Sequence, residues 1–111
     1  MHTHQQAQLH ALGDATRRAI LLRLLDGPRP VGELAREFPI SRPAISQHLK
    51  VLKDAKLVVD RAEGMRRIYA LDPTGFDVLR EYLDQFWTRA LDAFRNKVEE
   101  VPRSTTRRTR S

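Results

Sequence analysis

Apolar residues recur at three- and four-residue intervals in four stretches of this chain, and each stretch predicts a helix with one face turned to a core. In residues 15–25 the set is Ile20, Leu21, Leu24 and Leu25, with Asp14 ahead of it as an N-cap and Asp26-Gly27-Pro28 to stop it. In residues 31–38 Val31, Leu34, Ala35 and Phe38 mark a short amphipathic helix. A tight break follows at Phe38-Pro39-Ile40-Ser41, since Pro39 disfavours helical backbone at Phe38 and has no N–H to continue the ladder. The next stretch, ISRPAISQHLKVLKDAKL, opens with Ser41 as N-cap and Pro43 in the first turn, and its narrow stripe is Ile45, Leu49 and Leu52. The last helix begins at Asp72-Pro73 and carries Phe76, Leu79, Leu83, Phe86, Trp87, Ala90, Leu91 and Phe94.

Before that last helix the periodicity changes. Residues 57–61 and 67–71 are β-prone runs separated by Ala62-Glu63-Gly64-Met65-Arg66, in which Gly64 supplies the turn. Two short helices across a tight turn, followed by a hairpin bearing Arg61, Arg66 and Arg67, predict a mainly α fold. It is a winged helix-turn-helix with about five helices and a two-stranded antiparallel wing. The second helix of the motif turns Arg42, Ser46, Gln47, Lys50 and Asp54 away from its apolar stripe, groups able to hydrogen-bond base edges and phosphates. A merely solvated helix would favour Glu–Lys pairs over Ser and His, which are indifferent helix formers.

The segments LGDATRRAILLRLL, VGELAREFPISRPAISQHLKVLKDAKLV and RAEGMRRIYALDP together resemble the ArsR-type bacterial repressors, from about Leu9 to about Val98. The resemblance implies a homodimeric repressor on a palindromic operator in double-stranded DNA. It places Ser41, Arg42, Pro43, Ser46, Gln47, His48 and Lys50 on the DNA-facing helix and Arg66 and Arg67 on the wing. It also pairs the first and last helices across the dimer axis, about residues 5–12 with 75–98, which brings Leu9 and Leu12 to the interface. At the exit from the reading helix the ArsR-type pattern has Gly where this chain has Lys56, so Lys56 is expected at positive φ.

The chain departs from the family's best-known members in its metal chemistry. Their Cys pairs fall where this chain has Val31-Gly32-Glu33-Leu34, and the absence of any cysteine excludes thiolate sites. The family's other site needs His on the last helix, where residues 75–98 offer Asp77, Glu81, Asp84 and Asp92 but no His. Carboxylates alone on a solvated face suit a transition metal poorly. The chain is therefore similar to the metal-free branch, and no metal or cofactor is expected. His2, His4 and His10 sit in a polar N-terminal segment, where His2 and His4 would chelate only weakly and a frayed end is the plainer reading. His48 lies between the core stripe and the polar face. It serves either as a satisfied boundary residue or as a donor to phosphate or base, and the second is favoured by the motif around it.

Charge sharpens this picture. Of the net +6 over 111 residues, residues 41–67 hold seven Lys and Arg against three acids, and RSTTRRTRS at the end holds four Arg and no acid. Cation is concentrated on the expected reading head and on the tail, as a phosphate partner requires. Residues 1–98 are expected to form one winged domain with dimerisation helices at both ends, and 99–111 a basic flexible tail, either a solvated end or an arm for phosphates or a minor groove. No apolar stretch is long enough for a membrane span and no apolar signal core opens the chain, which points to the cytoplasm.

Three of the seven aromatics, Phe86, Trp87 and Phe94, share the last helix. They suit a ligand pocket for a small-molecule inducer or an isologous dimer interface. The interface is favoured, because aromatics dominate interface cores and a palindrome calls for two-fold symmetry. The expected interface is Leu9, Leu12, Phe76, Leu79, Leu83, Phe86, Trp87, Ala90, Leu91 and Phe94. Enzymatic chemistry finds no Cys nucleophile, glycine-rich phosphate loop or pocketed acid–base pair. A winged-helix protein-interaction module is the alternative from another class, but it would tend to lose the Arg and Lys that this motif and wing keep.

Overall fold

A computed structural model describes residues 3–100, in the order α1 (Thr3–Leu12), α2 (Ala15–Leu24), β1 (Arg29–Pro30), α3 (Val31–Glu37), α4 (Arg42–Asp54), β2 (Val58–Glu63), β3 (Arg66–Leu71) and α5 (Pro73–Glu100). His2 and residues 101–111 of the expected tail lie outside the described residues, as does the side chain of His4. The chain divides into two compact units at Leu79/Arg80.

The first unit is the winged helix-turn-helix. Asp14 caps α2 by accepting from the Arg17 N–H at 3.0 Å, and Ser41 caps α4 by accepting from the Ala44 N–H at 3.2 Å. Phe38, ahead of Pro39, is extended at φ −123 and ψ 143, which ends α3. Asp72 Oδ1 accepts from the N–H groups of Thr74 (3.0 Å) and Gly75 (3.3 Å), and Pro73 fills the first helical position of α5. Ile20, Leu34, Ile45, Leu49, Leu52, Leu57 and Val58 are buried almost completely and make the core that these helices share. In the helices its formation follows from the three-to-four spacing of the apolar residues, and each buried side chain is worth about 1.5–3 kcal/mol on full burial.

Three expectations are corrected. Leu25 does not join the buried face of α2: the helix ends at Leu24, and Leu25 is 66% exposed because Ile20, Leu21 and Leu24 already fill the arc that meets the core. Toward the tip, β2 runs two residues further than expected and β3 one, so a two-residue turn, Gly64-Met65, replaces the five-residue one. Gly64 at φ 63 makes this possible, since a tight turn of this kind needs positive φ at its first central residue. The two-stranded wing itself is as expected, and a third strand not foreseen joins it in the order β1-β3-β2, with Arg29 opposite Tyr69 and Pro30 opposite Ile68. A two-residue strand carries no periodicity to read, and Pro30 is tolerated because β1 is an edge. Finally, Leu79 is 5% exposed and packs in this unit's own core, so it is not available to a partner. Phe76 and Leu12 are partly buried against the same core.

The end of α4 is a Schellman motif made without glycine. The Lys56 N–H donates to the Lys53 carbonyl at 3.0 Å and the Leu57 N–H to the Leu52 carbonyl at 2.9 Å, with Lys56 at φ 65 as expected. Leu52 and Leu57, which flank the motif, are both fully buried. Against this exit packs Gly75, where an added Cβ would overlap the Lys56 carbonyl. The Gly75 carbonyl in turn accepts from Nε2 of Gln8 at 2.9 Å; Gln8 is wholly buried in α1, and nothing in the sequence pattern marked it.

The second unit, among the described residues, is the remainder of α5. Phe86, Trp87 and Phe94 are 58%, 62% and 66% exposed there, and Leu83, Ala90, Leu91 and Val98 are exposed with them.

Candidate nucleic-acid interface

The site begins with the two-sided burial of α4. Its core positions Ile45, Leu49 and Leu52 are fully buried, which forces Ser41, Arg42, Pro43, Ser46, Gln47 and Lys50 onto the opposite, exposed side. The polar groups read from the sequence therefore do share one face. Ser41 commits its oxygen to the cap but keeps its hydroxyl hydrogen free to donate. Lys50 Nζ lies 3.2 Å from Asp54 Oδ2, an exposed pair of small stabilising value that a stronger anion could displace.

His48 sits differently. It is half-buried at the edge of this face, and its Nδ1 lies 3.3 Å from Arg17 Nη1 and 3.9 Å from Asp14 Oδ2. Arg17 can only donate, so Nδ1 is the acceptor. The ring thus ties α4 to the start of α2, the geometry of a boundary residue. The Arg17 N–H above all holds the Asp14 carboxyl below the ordinary carboxylate value, against the opposing cost of desolvation and with further help from the charge of Arg17.

The wing is fastened to α4 by one carboxylate. Asp60, 9% exposed at its side chain, takes Lys53 Nζ at 2.9 Å and Arg67 Nε at 3.4 Å, joining the last turn of α4 to both strands of the hairpin. Burial, and then the charge of Asp60, raise the neighbouring Tyr69 hydroxyl above its ordinary value. Arg61 and Arg66 lie 3.3 Å and 3.7 Å from Glu63, and Met65 at the turn is fully exposed.

Two concavities border these elements. A polar cleft of about 290 Å3 is lined by Gly32, Glu33, Arg36, Arg42, Arg66 and Arg67, among others. It brings Arg42 of α4 together with the wing arginines, and it adds Arg36, which the sequence reading did not single out. An apolar groove of about 610 Å3 is lined by Leu12, Arg18, Leu21, Leu22, Leu25, Leu71, Pro73 and Phe76. Its walls are not the aromatic trio expected for a ligand pocket. Among the described residues no cluster of three or more His, Asp or Glu side chains is placed to share a metal ion.

Comparison with known proteins agrees with this geometry. Residues 14–59 match the family described as "Bacterial regulatory protein, arsR family". The HTH-type transcriptional regulator Rv2034 of Mycobacterium tuberculosis is 62% identical over 89 residues, 80% of this chain and 83% of that protein. The transcriptional repressor SdpR of Bacillus subtilis is 42% identical over 64 residues, 58% of this chain and 71% of that one. Among solved structures, the homodimeric winged helix-turn-helix DNA-binding domain Mb0332 of Mycobacterium bovis is 26% identical. It superposes with a TM-score of 0.64 over 78% of this chain and 80% of that one.

Proposed function

The chain belongs to the ArsR family of bacterial regulatory proteins and is a transcriptional regulator, not an enzyme, and from that premise we propose that it is a homodimeric repressor of an inverted-repeat operator. The observation that carries the reading is the exposed face of α4, with Ser41, Arg42, Pro43, Ser46, Gln47 and Lys50 on one side of a helix whose other side is sealed in the core. Gln47 is the base reader, Arg42 and Lys50 approach phosphates, and Arg66 and Arg67 hold the duplex from the wing. His48 steadies the helix through its contact with Arg17 and donates to a phosphate when the duplex seats. Residues 1–98 form the DNA-binding and dimerising body and 99–111 a basic tail. The protein works in the cytoplasm because its DNA partner is there; among the described residues no helix is long and apolar enough to cross a membrane.

Two-fold pairing through Leu9, Leu12, Leu83, Phe86, Trp87, Ala90, Leu91 and Phe94 supplies the symmetry. These residues present apolar surface to solvent in the single chain, Leu12 in part, and the similar Mb0332 domain is a homodimer. Repression is the sense of regulation that the similarity to SdpR supports. No metal governs the protein, because the chain has no cysteine and α5 carries no histidine.

Selection of bound duplexes from a random pool, followed by anisotropy at several salt concentrations, tests this. The expected product is an inverted repeat with half-sites about one helical turn (~34 Å) apart and affinity that falls steeply with salt. Single half-sites would remove the dimeric reading, and no salt-dependent duplex binding would leave the protein-interaction alternative. A second reading, an apolar inducer acting on the same repressor, is favoured by the groove beside Leu22, Leu25 and Phe76.

A further inference from the structure

The cleft between the start of α3, the first turn of α4 and the wing carries more cation than its surroundings neutralise. Four guanidinium groups line it, from Arg36, Arg42, Arg66 and Arg67, against one carboxylate, Glu33. Arg66 and Arg67 already lie near Glu63 and Asp60, at 3.7 Å and 3.4 Å. Arg36 and Arg42 have no carboxylate within ion-pair distance among the described residues. The head of Arg42 lies over the bare backbone of Gly32, with Nη1 3.8 Å from where a Cβ would stand. One arginine from α3 and one from α4 thus meet in a concave site that a wing pair closes. Arg36 and Arg42 are left without a carboxylate partner beside two arginines that are already paired, so an anion seated there would meet unneutralised charge.

We propose that this cleft seats a phosphodiester group of the DNA backbone, with Arg36 a phosphate ligand beside Arg42. The proposal rests on the DNA-binding reading and extends it to a residue outside both the reading face and the wing. A guanidinium matches phosphate geometry because its fork of N–H donors takes two oxygens at once. The source of the phosphate is the duplex, because Arg42 belongs both to the cleft and to the exposed face of α4. A strand laid along that face reaches the cleft at its Arg42 end. The contact carries no base information, so it fixes register and affinity but not sequence.

The test is anisotropy of the full chain on its selected duplex and on an unrelated one, across a salt series. Arg36→Ala is compared with Arg89→Ala, which loses the same charge from the exposed second unit. The expected result for Arg36→Ala is about tenfold weaker binding to both duplexes near 0.15 M salt, and a log-affinity slope shallower by about one unit. Arg89→Ala should leave both unchanged. Gly32→Glu, which sets a carboxylate under Arg42, should weaken both duplexes at least as much, with the folded state checked by circular dichroism and melting. A slope for Arg36→Ala equal to wild type, or a loss confined to the selected duplex, overturns the assignment while leaving DNA binding intact. Absence of salt-dependent binding in wild type instead removes the underlying reading. Inorganic phosphate titrated at constant ionic strength is the remaining arm. Should it displace the duplex far better than chloride, through Arg36 and with no change of slope, the cleft serves a free anion and the duplex assignment is wrong.

Discussion

Lys56 occupies the left-handed position that closes α4, where glycine would be free of strain. The cost is about 1 kcal/mol, small beside the two hydrogen bonds and the Leu52 and Leu57 burial that the motif secures. Lys56→Gly should therefore raise the melting temperature by a few degrees, about 3–5 °C, at fixed protein concentration. A variant that melts lower would show the lysine side chain to be stabilising in its own right. Gly75 reverses the usual rule: Gly→Ala in a helical turn normally gains up to about 1 kcal/mol, but here the new methyl would overlap the Lys56 carbonyl. Gly75→Ala should lose about 1–3 kcal/mol in urea denaturation, with Gln8 displaced as well. On the reading face, Gln47→Ala should relax sequence preference by roughly 1–3 kcal/mol, whereas Arg67→Ala should weaken all duplexes alike. Repeated duplex selection distinguishes them, and an unchanged consensus for Gln47→Ala would pass the role to Ser46 or Arg42.

At the scale of elements the question is what holds the wing in register with the reading helix. The register of β2 on β3, from Val58 opposite Leu71 to Glu63 opposite Arg66, fixes the hairpin, but nothing in the ladder fixes its angle to α4. Asp60 does this by binding Lys53 from the helix and Arg67 from the strand. Both cations are about half exposed, so each bond is worth less than a buried pair. Asp60→Ala should cost about 1–2 kcal/mol of stability. It should also speed hydrogen exchange at the wing amides more than at α4, and equal acceleration of both elements would argue against a local tie.

At the scale of the whole molecule, the proposed two-fold pairing would couple the exposed stripe of α5 to DNA binding through symmetry. Trp87→Ala or Phe94→Ala should release monomer in sedimentation velocity and weaken binding to an inverted repeat, although neither residue belongs to the proposed DNA-contacting set. A variant that stays dimeric with full affinity would move the interface elsewhere. Regulation by zinc is not expected, because no thiolate exists and His is absent from α5. Stoichiometric zinc or a chelator should change operator affinity by less than tenfold, about 1.4 kcal/mol of coupling.

The elements of this protein are written locally. Caps at Asp14 and Ser41, stops at Gly27-Pro28 and Pro39, and the spacing of Ile45, Leu49 and Leu52 each act within one or two turns of chain, so α2 to α5 and the polar face of α4 were legible in the sequence, whereas α1, in a polar segment read as a frayed end, was not. The positive φ of Lys56 was legible for the same reason: a helix that must turn at once into a strand has few other exits. What depends on approach between distant segments was not. The pairing of β1 with β3, the burial of Leu79 and of Gln8, the Gly75–Lys56 contact and the meeting of Arg36 with Arg42 join residues far apart in the chain or set by packing alone. Periodicity says which face of an element is apolar, but only the packed structure decides what that face meets.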